Sequence, residues 1–267
     1  MAYILLTNDD GVHSPALVPF ARALTDLGRV EVVVPDRERS WIGKAITRHV
    51  PVEVQKVERE GLVMHAASGY PADCTQIGAH SLFDETPDLV VSGINIGYNS
   101  GLAFMMSSGT VGAAAEAWIS GLSAVAVSAG TVDEPWAVWS KWVWEDDARP
   151  MWDRLATTAT AMIEVLLGHD YPPDADVISI NMPSNADGAT SRRVTSLAQV
   201  GYDRLFAPMG GGRFRHEFGG GFRELAGLGG SDVEALRGGE IAITPLKMPS
   251  SGSIPDGLAT SLQADAG

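Results

Sequence analysis

Short, continuous apolar runs alternate with segments of helical period along most of the chain, and this alternation restricts the fold more than any other feature. Ile4-Leu5-Leu6 is such a run, and it ends in the polar stretch Thr7-Asn8-Asp9-Asp10-Gly11. Ser14-Pro15 then reads as an N-cap with proline at the first helical position. Leu17, Phe20, Ala21, Leu24 and Leu27 follow at helical spacing, and Gly28 closes the segment. Further runs at Val30–Val34, Leu89-Val90-Val91, Ala124–Ser128 and Val177–Met182 read as strands, with helices over about 110–120 and 153–167. Apolar strands separated by helices predict an α/β fold, a mainly parallel sheet covered by helices on both faces. Strand order is not readable at this level.

Three stretches interrupt the pattern. Five of the seven tryptophans lie between Trp136 and Trp152 among Asp133, Glu134, Glu145, Asp146 and Asp147. This reads as an acidic helix whose tryptophans pack on the body, with a subunit or partner surface as the alternative. Gly210–Gly230 is dense in glycine and interleaves Arg213, Arg215, His216 and Arg223 with Phe214, Phe218 and Phe222. A mobile loop or hairpin arm is expected there. Pro249–Gly267 is small, polar and aperiodic, which predicts a flexible tail. The chain thus divides into an α/β core over 1–187, an extension with an arm and a returning strand over 188–248, and a tail over 249–267.

Composition excludes several classes. A chain of 267 residues can bury a core without staples, and the single Cys74 rules out an internal disulfide framework. A net charge of −14 is wrong for stable binding of long nucleic acids, which demands a basic face. No apolar run reaches 18 residues, and Met1–Thr7 has no basic region of a signal peptide. The expectation is a soluble cytoplasmic protein with no membrane contact.

In open parallel sheets, ligands collect beyond the carboxyl ends of the strands. Three polar loops follow apolar strands here: Asn8-Asp9-Asp10, Asp36 to Ser40, and Ser92-Gly93-Ile94-Asn95. Adjacent carboxylates about 4 Å apart repel by about 4 kcal/mol at an effective dielectric of 20. A proton, a basic side chain or a divalent cation must offset that at Asp9 and Asp10, and the lack of nearby His or Cys points to Mg²⁺, Mn²⁺ or Ca²⁺. A solvated turn is the simpler alternative. Ser107-Ser108-Gly109-Thr110 opens the alanine-rich helix, where exposed N–H groups make an anion site or an ordinary cap. Asn95 and Asn99 sit in a glycine loop and can reach a phosphate or a metal. There is no dinucleotide fingerprint, Walker loop or Gly-x-Ser-x-Gly elbow. His13, His65, His80 and His216 show no ligand spacing.

The motifs Ile4-Leu5-Leu6-Thr7-Asn8-Asp9-Asp10-Gly11 with Ser14-Pro15, Ser40 with Gly43 and Ala45-Ile46-Thr47, and Pro71-Ala72-Asp73-Cys74 occur in order. Ser92-Gly93-Ile94-Asn95 with Gly97 and Asn99, Ser108-Gly109-Thr110-Val111 and Ile243-Thr244-Pro245-Leu246 follow. Across nearly the whole chain this set resembles the SurE family, the survival-protein-E nucleotidases. The resemblance implies a Rossmann-like sheet with a C-terminal hairpin arm. It also implies a phosphatase dependent on one divalent cation, Mg²⁺ or Mn²⁺, acting on nucleoside 5′- and 3′-monophosphates. Carried onto the matching positions, Asp9, Asp10, Ser40 and Asn95 would hold the metal, and Asn99, Ser108, Gly109 and Thr110 the phosphate. A homodimer or homotetramer built through the arm would follow.

The chain departs from the family at Leu102-Ala103-Phe104-Met105-Met106-Ser107, where acids and a tyrosine are usual, at the tryptophan-rich stretch, and in the arm, which lacks an aromatic run after its arginine. The expected chemistry is in-line attack by an activated water, with Asp9 and Asp10 orienting it and taking its proton. An aspartyl-phosphate on Asp9 is the less favoured course. Two other functions stay open: a haloacid-dehalogenase-like phosphatase, which needs Asp-x-Asp rather than adjacent acids, and a non-catalytic nucleotide or metal binder.

Overall fold

The computed structural model describes residues 1–218, 222–249 and 251–263. Among them, β1 (Ala2–Thr7), β2 (Gly28–Pro35), β3 (Val54–Arg59), β4 (Leu62–Ala67), β5 (Leu89–Ile96), β6 (Ser123–Gly130) and β7 (Val177–Pro183) supply most of one large sheet. β8 (Arg192–Val194) and β13 (Ile241–Leu246) complete it, in the order β3-β4-β2-β1-β5-β6-β7-β13-β8. The five pairings from β4 through β7 are all parallel, while β3 on β4 and β13 on β7 are antiparallel. β1, β5, β6 and β7 are buried almost throughout, as continuous apolar runs require in a sheet covered on both faces.

Helices α1 (Leu17–Leu24) and α6 (Arg149–Leu167) cover one face, where Leu6, Phe20, Trp152 and Leu155 share a core. Helices α2 (Pro71–His80) and α4 (Gly109–Ile119) cover the other with Leu5, Val33, Val90 and Ala114. Between β5 and α4 lies the short helix α3 (Gly101–Ser107). The chain winds outward from β1 through β2 to β4, then returns to place β5 on the other side of β1. The carboxyl ends of β1 and β5 therefore flank the point where the winding reverses, the usual ligand crevice of such sheets.

Several local expectations are revised. Ser14 does not cap α1: the helix begins at Leu17, and the Ser14 hydroxyl is buried without a partner among the described residues. Residues 12–16 instead turn back toward β2, where the Val12 N–H donates to the Pro35 carbonyl at 2.8 Å. Ser92 to Asn95 is not a loop but part of β5, with a register shift against β6. Gly93 permits it: its φ is +143°, and a Cβ there would lie 2.2 Å from the Val127 carbonyl oxygen.

The tryptophan-rich stretch forms α5 (Trp136–Trp142), a 3-10 turn over Asp146–Ala148 and the start of α6. Trp139 and Trp152 pack into the core, whereas Trp136, Trp142 and Trp144 stay exposed. In the extension, β9 (Val200–Tyr202) pairs with β12 (Phe222–Glu224). β10 (Phe206–Gly210) and β11 (Arg213–His216) form a hairpin. Gly219 to Gly221 of the arm lie outside the described residues. Helix α7 (Asp232–Arg237) precedes β13. The stretch expected to be a flexible tail carries helix α8 (Asp256–Gln263), while Ser250 and residues 264–267 lie outside the described residues. Pro255 starts that helix by accepting from the Ala259 N–H at 3.0 Å, and Asp256 sits in its first turn, where an acid suits the helix dipole.

Candidate active site

β1 delivers Asn8, Asp9 and Asp10 to the crevice. The Asn8 amide braces the turn by donating to the Gly11 carbonyl and accepting from the Gly11 N–H, each at 3.1 Å. Asp9 and Asp10 are buried, yet no Lys or Arg pairs with either among the described residues. Asp9 Oδ1 accepts from Thr110 Oγ1 at 2.6 Å, and Asp10 Oδ2 accepts from the Ile96 N–H at 3.0 Å. Burial pushes the Asp9 carboxyl up to about 6, against the opposing pull of the Thr110 hydrogen bonds. Asp10 is driven well above the usual carboxylate range, first by burial and then by the charge of Asp9.

Helix α4 abuts this pair end-on. Ser108 is its N-cap, with its hydroxyl oxygen accepting from the Val111 N–H at 3.1 Å. Thr110 turns both its hydroxyl and its N–H onto Asp9. A side chain at Gly109 would put its Cβ 2.8 Å from Asp9 Oδ2, so glycine lets the helix end touch the carboxylate. Ser108, Gly109 and Thr110 are thus gathered with Asp9 and Asp10.

Asn95 and Ser40 complete the rim differently. The Asn95 amide nitrogen donates to the Gly97 carbonyl at 2.6 Å, which leaves its oxygen with no donor among the described residues. Ser40 is exposed and donates to Glu38 at 2.6 Å. Asn99 is braced from the neighbouring strands: its amide nitrogen donates to Ser128 Oγ at 2.9 Å and its N–H to Asn181 Oδ1 at 2.8 Å, on β6 and β7.

Three further acids shape the site: Glu38 from the second rim loop, Asp73 from the Pro71-Ala72-Asp73-Cys74 motif, and Asp232, which sequence patterning passes over. Glu38 faces the pair closely enough that its charge raises both carboxyls. Its only sequence signal is its place in the second rim loop. Asp73, on α2, accepts from the Thr47 N–H at 3.0 Å, from Thr47 Oγ1 at 2.6 Å and from the Tyr70 N–H at 2.7 Å. It anchors the far end of the loop that carries Ser40. Asp232 is buried on α7 and accepts from the Gly101, Ala198 and Val233 N–H groups at 2.7, 2.9 and 2.9 Å. That ties down the turn directly after Asn99.

The donor set suits a hard divalent cation. Two acids with no cationic partner, an amide oxygen with no donor and a hydroxyl are all oxygen ligands. Among the described residues no three His, Cys, Asp or Glu side chains converge on one point. A cation here would therefore draw on Asn95 and Ser40 as well as on the acids.

The structure is thus an α/β protein whose switch-point crevice sets paired carboxylates against a helix N-terminus. Residues 4–204 match the family described as Survival protein SurE. The chain belongs to the SurE family. It is 34% identical over 253 residues to the 5′-nucleotidase SurE of Archaeoglobus fulgidus, covering 94% of this chain and 93% of that one. It is 36% identical over 256 residues to the 5′-nucleotidase SurE of Methanopyrus kandleri, covering 94% and 93%. The crystal structure of the SurE protein from Aquifex aeolicus superposes with a TM-score of 0.72 at 27% identity, covering 98% of both chains.

Proposed function

We propose that this protein is a metal-dependent nucleotidase that hydrolyses nucleoside 5′- and 3′-monophosphates to nucleoside and phosphate. The observation that carries the reading is the buried Asp9–Asp10 pair, which no Lys or Arg pairs with among the described residues, pressed against the N-terminus of α4. The names of the relatives support the 5′ activity. A Mg²⁺ or Mn²⁺ ion held by Asp9, Asp10, Asn95 and Ser40 would supply Lewis-acid charge and acidify the attacking water.

Asp9 is fixed by Thr110 in one orientation and takes the proton of the attacking water. Asp10, held by the Ile96 N–H, orients that water from the other side. The Gly109 N–H and the hydroxyl of Ser108 stabilise charge on the equatorial phosphoryl oxygens, aided by the dipole of α4. Asn99, braced from β6 and β7, donates to the same phosphate with its remaining amide hydrogen.

The β10–β11 hairpin exposes Phe206, Met209 and Phe214, which supports a homodimer or homotetramer assembled through that arm. The buried, unpaired thiol of Cys74 suits a reducing cytoplasm. The deciding experiment is phosphate release from nucleoside 5′- and 3′-monophosphates in EDTA, Mg²⁺ or Mn²⁺, for the wild type and Asp9→Asn. Release that needs the metal and drops at least about 100-fold in the variant is expected. No release with any metal would leave a binding protein in place of the enzyme.

A further inference from the structure

We propose that the aromatic cluster centred on Trp41 seats the nucleobase of the substrate, and that this chain recognises nucleotides by stacking there. The inference rests on the nucleotidase reading and extends it to the part of the substrate that the acids and α4 do not touch.

Three observations converge. The first is position. Trp41 follows Ser40 directly, and the next residue, Ile42, places its Cγ2 3.1 Å from where a Gly109 Cβ would be. The Gly43 N–H donates to the Ser107 carbonyl at 2.9 Å. The segment 40–43 therefore lies along the N-terminal end of α4, beside the proposed phosphate seat, and Trp41 belongs to that segment.

The second is composition. The Trp41 ring lies 5.5 Å from Tyr202, 6.1 Å from Phe104, 5.7 Å from Phe218 and 4.7 Å from His216, centroid to centroid. Tyr202 spends its polar tip elsewhere, since its hydroxyl meets Ser107 Oγ at 2.5 Å and also reaches the Ala103 carbonyl. Its ring is thereby fixed as part of the wall. An aromatic wall accepts any base through its π face, with little demand on base identity.

The third is backbone conformation. Trp41 has a φ of +59°, a left-handed geometry that a bulky side chain rarely adopts. Such departures gather at ligand sites, where surrounding structure holds them in place. A tryptophan needed only to glue the arm to the body would be covered, whereas Trp41 remains 40% exposed.

The test compares adenosine 5′-monophosphate with ribose 5-phosphate, which keeps the phosphate and sugar but lacks the base. Trp41→Gly removes the ring and suits the left-handed backbone, so folding is preserved. In the full-length protein, the ratio of kcat/KM for adenosine monophosphate to that for ribose 5-phosphate should fall about tenfold in Trp41→Gly. The loss should appear in KM, and Trp41→Phe should restore most of it. An unchanged ratio, or an equal loss on both substrates, would overturn the proposal while leaving the nucleotidase reading intact. If the wild type turns over neither substrate, the nucleotidase reading fails and equilibrium dialysis of the same two ligands decides. Tighter binding of the nucleotide that Trp41→Gly abolishes supports the base seat, and equal binding in both proteins removes it.

Discussion

Thr110 Oγ1 donates to Asp9 Oδ1 across 2.6 Å, and both residues are shut off from solvent. A helix that opens on the proposed phosphate seat thus also orients the acid proposed to receive the proton. Position 110 therefore links the two halves of the proposed chemistry. Thr110→Val keeps the shape and deletes the donor, so Asp9 loses both its orientation and part of what opposes its burial. Activity is expected to fall about 10- to 100-fold, with Thr110→Ser restoring most of it, as steady-state phosphate release would report. Equal activity in Thr110→Val would mean that Asp9 needs no such tether.

The acidic pair also makes stability depend on pH. Asp9 and Asp10 hold their protons more tightly in the folded chain than in the unfolded one. Between the unfolded carboxylate pKa and the raised folded value the native state binds more protons, so stability falls as pH rises through that window. In EDTA, the Tm gap in favour of Asp10→Asn over wild type should therefore widen from pH 4 to pH 7, to about 5 °C. Adding Mg²⁺ or Mn²⁺ should stabilise the wild type most at the upper end. A gap that narrows with rising pH would contradict the assignment.

Gly109 leaves no room for a side chain. A Cβ would come within 2.8 Å of both Cβ and Oδ2 of Asp9. Alanine improves helix propensity by up to about 1 kcal/mol, yet here it would push the carboxylate out of line. Gly109→Ala should keep its far-ultraviolet circular dichroism and lose at least about 100-fold in activity.

Asp232 is far from the acidic pair in sequence, but it accepts from the N–H of Gly101, in the turn directly after Asn99, and from those of Ala198 and Val233. Asp232→Ala strands all three and is expected to cost about 2–4 kcal/mol of stability, read as the midpoint of denaturant unfolding. Asp232→Asn keeps an acceptor oxygen and should lose less. A midpoint unchanged in the alanine variant would show that water replaces the carboxylate without penalty.

On the arm, Met209 and Phe214 are more than half exposed. Replacing both with serine should lower the mass measured by light scattering to that of a smaller assembly, while the secondary structure is unchanged. A wild type that already scatters as a monomer at micromolar concentration would withdraw the oligomer.

How much of this was legible in the chain depends on the kind of signal each residue carries. Strands β1, β5, β6 and β7 show in the sequence because burial on both faces makes them unbroken apolar runs. Asp9 and Asp10 stand out because two adjacent acids at the end of such a run need an explanation. Asp73 stands in a recognisable motif and Asp232 looks like an ordinary first-turn helix acid, but in both cases only tertiary contacts show that the carboxylate binds backbone groups of a distant loop. Ser14 reads as a cap from its neighbours, yet the turn that sends residues 12–16 toward β2 is set by a partner strand the local pattern does not contain. Trp41 goes unnoticed for a related reason: its rings come from three separate segments of the chain.

The sheet order also governs how the protein is made. β13 lies between β7 and β8, so the outer edge of β7, made of residues 177–183, has no neighbour until residues 241–246 have been synthesised. During that interval a nascent chain presents a hydrophobic strand edge open to pairing with another copy. Slowing the ribosome between these two segments would lengthen the exposure, and chaperone demand should follow the length of the pause.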